Sequence, residues 1–236
     1  VLVVGCGLGE DIASLLARVG PEGEVHAQDI SGSMVRHVLG AIEADNLCLS
    51  VSNATALPYC SRSFDVVFHF GGINLFGDMR KSIAELDRVC KLGGQVVFGD
   101  EGIASHLRGT EYADILINNN ALWGLEAPLA MLPHHCTDIA LEYILGNCFY
   151  IISFRPGAGF PEVDLDVPHV GLRGGTARTR YFGKLEGVTA DAKARLASSA
   201  QARGVSAHQL LQEIIDTHLP PLASTAPIEG SDESPP

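Results

Sequence analysis

The chain has 236 residues, 46% hydrophobic and 19% charged, which is enough for one α/β domain with an appendage around a sizeable core. A net charge of −12 excludes the basic footprint of a protein that binds nucleic acid with its whole surface, and it disfavours an anionic membrane surface. No apolar run reaches the roughly 18–20 residues that cross a bilayer. The six cysteines, at positions 6, 48, 60, 90, 136 and 148, contain no C-x-x-C pair and so point to neither a zinc ribbon nor a redox pair.

Val1–Val4 is an apolar, β-branched run of the kind found in buried parallel strands. It lacks the basic region of a signal peptide and runs at once into glycines, so residues upstream of it are expected. Gly5–Gly9 is a glycine turn. Asp11–Val19 has helical spacing and ends at Gly20-Pro21. Glu24–Ile30 predicts a second strand, Ser33–Ala44 a second helix, Leu47–Ser52 a third strand and Phe64–Phe70 a fourth. Arg80–Cys90 then predicts a helix, Lys91–Gly94 a turn and Gln95–Gly99 a fifth strand. This alternation predicts a doubly wound, mostly parallel sheet that binds ligand at the carboxyl ends of its strands.

Residues 101–135 are expected as helix and loop over the mouth of the site. Ile139–Leu145 and Cys148–Phe154, linked by Gly146-Asn147, predict an antiparallel edge hairpin with a two-residue II′ turn, which completes seven strands. Domain boundaries are therefore expected at 1–155, with a Gly/Pro-rich connector over 156–187, a helical hairpin over 188–219 broken at Gly204, and a disordered tail over 220–236. Cys6, Cys48, Cys90 and Cys148 stand in or beside apolar stretches and are expected as buried thiols in a reducing, cytoplasmic setting.

Glycines after a buried strand let the backbone approach a ligand closely, and the helix that follows aims free N–H groups at it. The dinucleotide pattern G-x-G-x-x-G would need glycine where this chain has Glu10, and a pyrophosphate would meet Glu10 and Asp11. A nicotinamide dinucleotide is thus disfavoured against a ligand without phosphates. Asp29 closes the second strand, where a carboxylate can accept from both hydroxyls of a ribose; capping a helix is its bland role.

The blocks VLVVGCGLGED, Asp29-Ile30-Ser31 with Met34, Asn53-Ala54 with Leu57-Pro58, FDVVF and RVCKLGGQVVF resemble, in order and spacing, the class I S-adenosylmethionine-dependent methyltransferases. Within them the chain is most similar to small-molecule enzymes of the ubiquinone/menaquinone-biosynthesis type, over roughly residues 1–100. The resemblance implies S-adenosyl-L-methionine as cofactor, S-adenosyl-L-homocysteine as product, no metal, and methyl transfer to a small-molecule acceptor. It implies that Gly5, Cys6, Gly7 and Gly9 line the amino-acid part and ribose of the cofactor, and that Asp29 holds the ribose hydroxyls. Ile30 and Met34 would pack near adenine, Asn53 and Ala54 would meet its edge, and His69, Phe70 and Gly71 would lie beside the methionine moiety. Val3 stands where the family carries an acidic residue, and Asn53 where it carries Asp.

A general base is needed only if the acceptor must lose a proton. His69 at the end of the fourth strand and Glu101 after the fifth are the candidates. Asp100 could equally cap the next helix, and His69 has contacting cofactor or capping a loop as its bland roles. Tyr112, Asn118, Asn119 and Trp123 are candidate acceptor contacts, the Asn run having helix capping as its ordinary role. His134-His135-Cys136 has no carboxylate at ligand spacing and is taken as a loop before the hairpin.

Near the C-terminus, Thr189 and Ser206 are expected helix caps. The segment RGVSAHQLLQEIIDTHL resembles the second half of ribbon-helix-helix proteins, with Arg178, Arg180, Tyr181 and Lys184 where their DNA-binding strand would lie. That resemblance implies a homodimer through these helices, and a second functional reading as a cofactor-binding regulator that touches DNA; a helical hairpin of this spacing has plain packing as its ordinary role.

Overall fold

A computed structural model describes residues 1–182 and 189–219. The chain divides into two units, Val1–Pro161 and Glu162–Pro236.

The first unit is built on a seven-stranded sheet of order β3-β2-β1-β4-β5-β7-β6. Its strands are β1 (Leu2–Val4), β2 (Val25–Asp29), β3 (Leu47–Val51), β4 (Phe64–Phe70), β5 (Cys90–Glu101), β6 (Thr137–Ile144) and β7 (Phe149–Arg155). The first five are parallel, while β7 pairs antiparallel with both β5 and β6. The chain winds outward from β1 through β2 to β3, then returns to lay β4 on the other side of β1. This reversal opens a crevice at the carboxyl ends of β1 and β4.

Strand alternation divides the core. Val3 faces one side and packs among Cys6, Ile12, Val25, Ala27 and Val38, beneath α1 (Ile12–Val19) and α2 (Gly32–Ala41). Leu2 and Val4 face the other side with Val67, Ile83, Leu86, Val96 and Phe98, beneath α3 (Met79–Val89). Each such fully buried aliphatic side chain contributes roughly 1.5–3 kcal/mol. Val3 is therefore a core residue on the α1/α2 face. A third cluster of Ile103, Ala113 and Cys148 seats α4 (Glu111–Asn119).

The structure revises several expectations. The expected turn at Lys91–Gly94 is a bulge inside β5: the partner of β4 jumps from Cys90 to Gln95 while β4 advances from Phe64 to Val66, and Gly93 takes φ +68°. β5 also runs on through Asp100 and Glu101 because β7 pairs with it as far as Glu101. The hairpin link is four residues, 145–148, and is no II′ turn. Ile144 pairs with Phe149, and Leu145, Gly146 and Asn147 all have positive φ. Cys48 is exposed because β3 is an edge strand, whereas Cys136, which no apolar run marked, is buried.

The second unit holds α5 (Ala177–Phe182), α6 (Ala190–Arg203) and α7 (Ala207–His218). Thr189 accepts from the Ala192 N–H, Ser206 forms a capping box with Gln209, and Gly204 ends α6 in the left-handed conformation. Arg178, Arg180 and Tyr181 lie on a helix and not on the strand that a ribbon-helix-helix arrangement requires; Lys184 and the tail from residue 220 lie outside the described residues. Among the described residues no helix is long and apolar enough to cross a membrane.

Candidate cofactor and acceptor site

The glycine turn leaves β1 with Gly5, Gly7 and Gly9 at φ +69°, +50° and +83°, a region that L side chains rarely enter. At Gly5 a Cβ would also come within 3.3 Å of the His69 ring, and at Gly9 within 2.9 Å of Val38 on α2. Gly9 thus lets α2 approach the loop, while Gly5 opens toward a cavity. The Cys6 N–H donates to the Gln28 carbonyl at 2.9 Å, tying the turn to β2.

Asp29 stands at the last position of β2. Its Oδ2 accepts from the Gly7 N–H at 3.0 Å and its Oδ1 from the Ser31 N–H at 2.8 Å. A carboxylate offers about four lone-pair sites, so two remain for a ligand. It faces a cavity of about 470 Å³ that Gly5, Ile30, Asn53 and Ala54 also line, within the range of small-molecule sites. Ile30 is 70% exposed there, an apolar side chain left open at the rim of the cavity. Cys6, Gly7, Gly9, Met34, His69, Phe70 and Gly71 do not line this cavity, and Cys6 is packed in the core below it.

The cavity also takes in residues that sequence reasoning missed. Gln28 is buried and accepts from the Ser52 hydroxyl at 2.9 Å; Leu75, Phe76, Asp78 and Lys81 close the far side. Asp78 had a readable signal, since it caps α3 by accepting from the Lys81 N–H. Asn53 Oδ1 accepts from both the N–H and the hydroxyl of Thr55, which uses its two lone pairs. What Asn53 can still give a ligand is its Nδ2 donor.

His69 is 1% exposed. Its Nδ1 lies 2.6 Å from the Val4 carbonyl and therefore carries the proton, and Nε2 is buried without a partner among the described residues. Burial pushes the pKa of this imidazole down, so it is neutral near pH 7. It links β4 to β1 directly behind Gly5, with Phe76 against its ring.

Three strands from Asp29, roughly 14 Å across the sheet, lies a carboxylate pair. Asp100 is fully buried, and it does not cap the next helix. Its Oδ2 accepts from the Gly72 and Asn74 N–H groups at 3.1 and 2.7 Å, and its Oδ1 from the Glu101 N–H at 2.9 Å. This fixes the turn after β4, where Gly71 and Gly72 have positive φ. Glu101 is partly exposed, and its pKa is pushed up to about 7, first by its side-chain interaction with the Asp100 carboxyl and next by burial.

Residues 101–135 carry α4 and short helical turns beside this pair. The Phe70 ring stacks on Phe149, and Trp123 meets Phe149 edge-on. The Tyr112 hydroxyl donates to the Gly146 carbonyl at 3.2 Å, binding α4 to the hairpin link. Asn118 and Asn119 are exposed at the end of α4, and Asn120 caps the turn that follows.

Residues 1–94 match the family described as a methyltransferase domain. Over 99 residues the chain is 35% identical to the demethylmenaquinone methyltransferase of Shouchella clausii, covering 41% of this chain and 42% of that one. It is likewise 35% identical over 99 residues to the ubiquinone/menaquinone biosynthesis C-methyltransferase UbiE of Stenotrophomonas maltophilia, covering 40% and 39%. The chain thus spans about two fifths of the length of the curated relatives it matches. Among solved structures it is similar to phosphoethanolamine N-methyltransferase 2 of Haemonchus contortus, in complex with S-adenosyl-L-methionine. That likeness has a TM-score of 0.56 at 15% identity and covers 66% of this chain and 48% of that one. The Haloferax volcanii complex of the Trm112 methyltransferase activator gives 0.52 at 13% identity, with 68% and 83% covered. The likeness to these two structures is one of fold.

Proposed function

We propose that the Val1–Pro161 unit binds S-adenosyl-L-methionine and directs its methyl group onto a small-molecule acceptor. The observation that carries this reading is the Asp29 carboxylate, held by Gly7 and Ser31 at the end of β2 and facing an open cavity. Its free lone pairs suit the two hydroxyls of a ribose, and Glu10 and Asp11 at the start of α1 suit a ligand without phosphates. In this reading the exposed Ile30, with Met34 beyond it, covers the adenine. Asn53 donates from Nδ2 to a ring nitrogen of adenine, because its oxygen already serves Thr55. Gly5, Gly7, Gly71 and Phe70 border the amino-acid portion.

The bound sulfonium supplies an electrophilic methyl carbon, and transfer by in-line displacement requires no metal. The protein has to aim the acceptor and exclude water, and orientation can supply much of the acceleration. Glu101 is the base for an acceptor that must lose a proton, since it is the accessible titrating group at the β5 edge and is half ionised near pH 7. His69, buried and neutral, is a positioning residue that fixes β1 and Gly5. The acceptor enters between the β4 turn and the 101–135 segment, against Phe70, Phe149 and Glu101. Four buried free thiols accord with a cytoplasmic setting.

Titration calorimetry with S-adenosylhomocysteine is expected to show one site. NAD binding without S-adenosylhomocysteine binding would overturn the proposal.

A further inference from the structure

We propose that Asp87, His135 and Cys136 form a zinc site, on the edge of the sheet opposite the glycine turn. α3 starts beside the carboxyl end of β4 and delivers Asp87 in its last turn, just before β5 begins at Cys90. His135 and Cys136 come from the loop that leads into β6. One donor atom from each of the three lies within 4.8 Å of the other two. His135 Nε2 is 2.9 Å from Asp87 Oδ2. Asp87 is 5% exposed and Cys136 3%, so two of the three groups are out of bulk water before anything binds.

An independent observation separates this cluster from an ordinary ion-pair network. Arg62 and His135 both address Asp87 Oδ2, but Asp87 Oδ1 is buried with no hydrogen-bond partner among the described residues. A buried carboxylate oxygen left unpaired is costly, and an ion is one of the few groups that relieve it. Arg62 need not move to admit one. Its Nη1 is anchored on the Asp87 and Cys90 backbone carbonyls, and it stays on the Oδ2 side as a second contact to the ligating carboxylate.

The donors name the ion. One carboxylate oxygen, one imidazole nitrogen and one sulfur suit Zn²⁺, whereas Mg²⁺ and Ca²⁺ take oxygen. Three protein ligands leave the fourth tetrahedral position to water. On binding, the Cys136 thiol gives its proton to solvent and its thiolate bonds the metal; the Nε2 proton that His135 directs at Asp87 Oδ2 leaves to solvent while Nδ1 takes one up, which frees the Nε2 lone pair for the ion. The thiolate and carboxylate then balance the two charges of the ion. The ion would clip the loop before β6 onto α3. The site stands apart from the cofactor cavity, and its fate leaves the methyltransferase reading unchanged.

The untagged full chain, stripped with a chelator, is to be titrated with Zn²⁺ against a chromophoric competitor and separately with Co²⁺. One equivalent of Zn²⁺ is expected, and bound Co²⁺ is expected to show a thiolate charge-transfer band in the near ultraviolet. Cys136→Ser should abolish that band, and both Cys136→Ser and His135→Gln should weaken Zn²⁺ binding at least tenfold. Cys48→Ser, which alters an exposed thiol on β3, should change neither. Circular dichroism establishes that each variant is folded; should a variant unfold, the band in the unaltered chain decides. No stoichiometric Zn²⁺ binding, a cobalt spectrum without the thiolate band, or affinity unchanged in both folded variants overturns the proposal.

Discussion

Replacing Asp29 tests the cofactor site most directly. Its carboxylate already accepts from Gly7 and Ser31, and its remaining lone pairs are assigned to two ribose hydroxyls. A hydrogen bond to a charged group is worth about 1.5 kcal/mol at the low end, so losing both costs about 3 kcal/mol, or roughly a hundredfold in affinity. Asp29→Ala also frees the Gly7 N–H and loosens the turn, which pushes in the same direction. Asp29→Asn keeps one oxygen acceptor and should fall between, about tenfold weaker than the unaltered chain. The assay is calorimetry with S-adenosylhomocysteine on each variant, with a thermal melt alongside to separate lost binding from lost folding. A dissociation constant for Asp29→Ala within twofold of the unaltered chain, with the fold intact, would remove Asp29 from the site and with it the observation that carries the functional proposal.

Three further outcomes follow from the same geometry. Gly5→Ala places a Cβ 3.3 Å from the His69 ring on a backbone at φ +69°, so it should cost about 1–2 kcal/mol in thermal stability and reduce S-adenosylhomocysteine binding; a melt and affinity equal to the unaltered chain would contradict the close approach. Glu101 has its folded pKa raised from 4.5 to about 7, so the fold favours its protonated form. That contribution to stability is complete below pH 4.5 and is lost as pH rises through about 7, so Glu101→Gln should melt higher than the unaltered chain above pH 7. With an acceptor that must be deprotonated, kcat/KM should rise through about pH 7 and level off, and Glu101→Gln should lose that limb; a limb retained in the variant assigns the base elsewhere.

The half of the site that was readable in the sequence is the half built from local pattern. FDVVFHF predicts a strand at Phe64–Phe70, and the strand has those bounds. The glycine turn and Asp29 are separated by one helix and one strand, so their spacing fixes which carboxylate lies beside the turn. What the sequence hid depends on contacts between distant segments. Cys48 looked buried because Leu47–Val51 is apolar, but only the strand order makes β3 an edge. The link at 145–148 takes its shape partly from Tyr112, more than thirty residues earlier. Asp87 precedes Cys136 by a helix end, a strand and the whole 101–135 segment, so the sequence around His135 contained no sign of its carboxylate. At the second unit, Arg178 and Arg180 had no period strong enough to decide between strand and helix, and they are helical.

Asp100 ties the two halves of the proposed site together. It is fully buried, and its two oxygens take backbone N–H groups from Gly72, Asn74 and Glu101. The first two donors set the turn that ends β4, and so the position of Gly71 and Phe70, which the proposal sets against the methionine end of the cofactor. The third holds Glu101 at the acceptor end, and the same carboxyl is the first cause of the raised Glu101 pKa. Placement of the cofactor-side turn and strength of the base therefore depend on one side chain. An amide there could accept some of these bonds but would bring an extra donor and no charge, so both properties would shift together. The asymmetry of the sheet follows the same division. The parallel strands β3-β2-β1-β4 present the proposed cofactor side, where spacing along the sequence suffices. The antiparallel pair β7-β6 extends β5 as far as Glu101 and gives the acceptor side Phe149, a wall assembled from segments far apart in the chain.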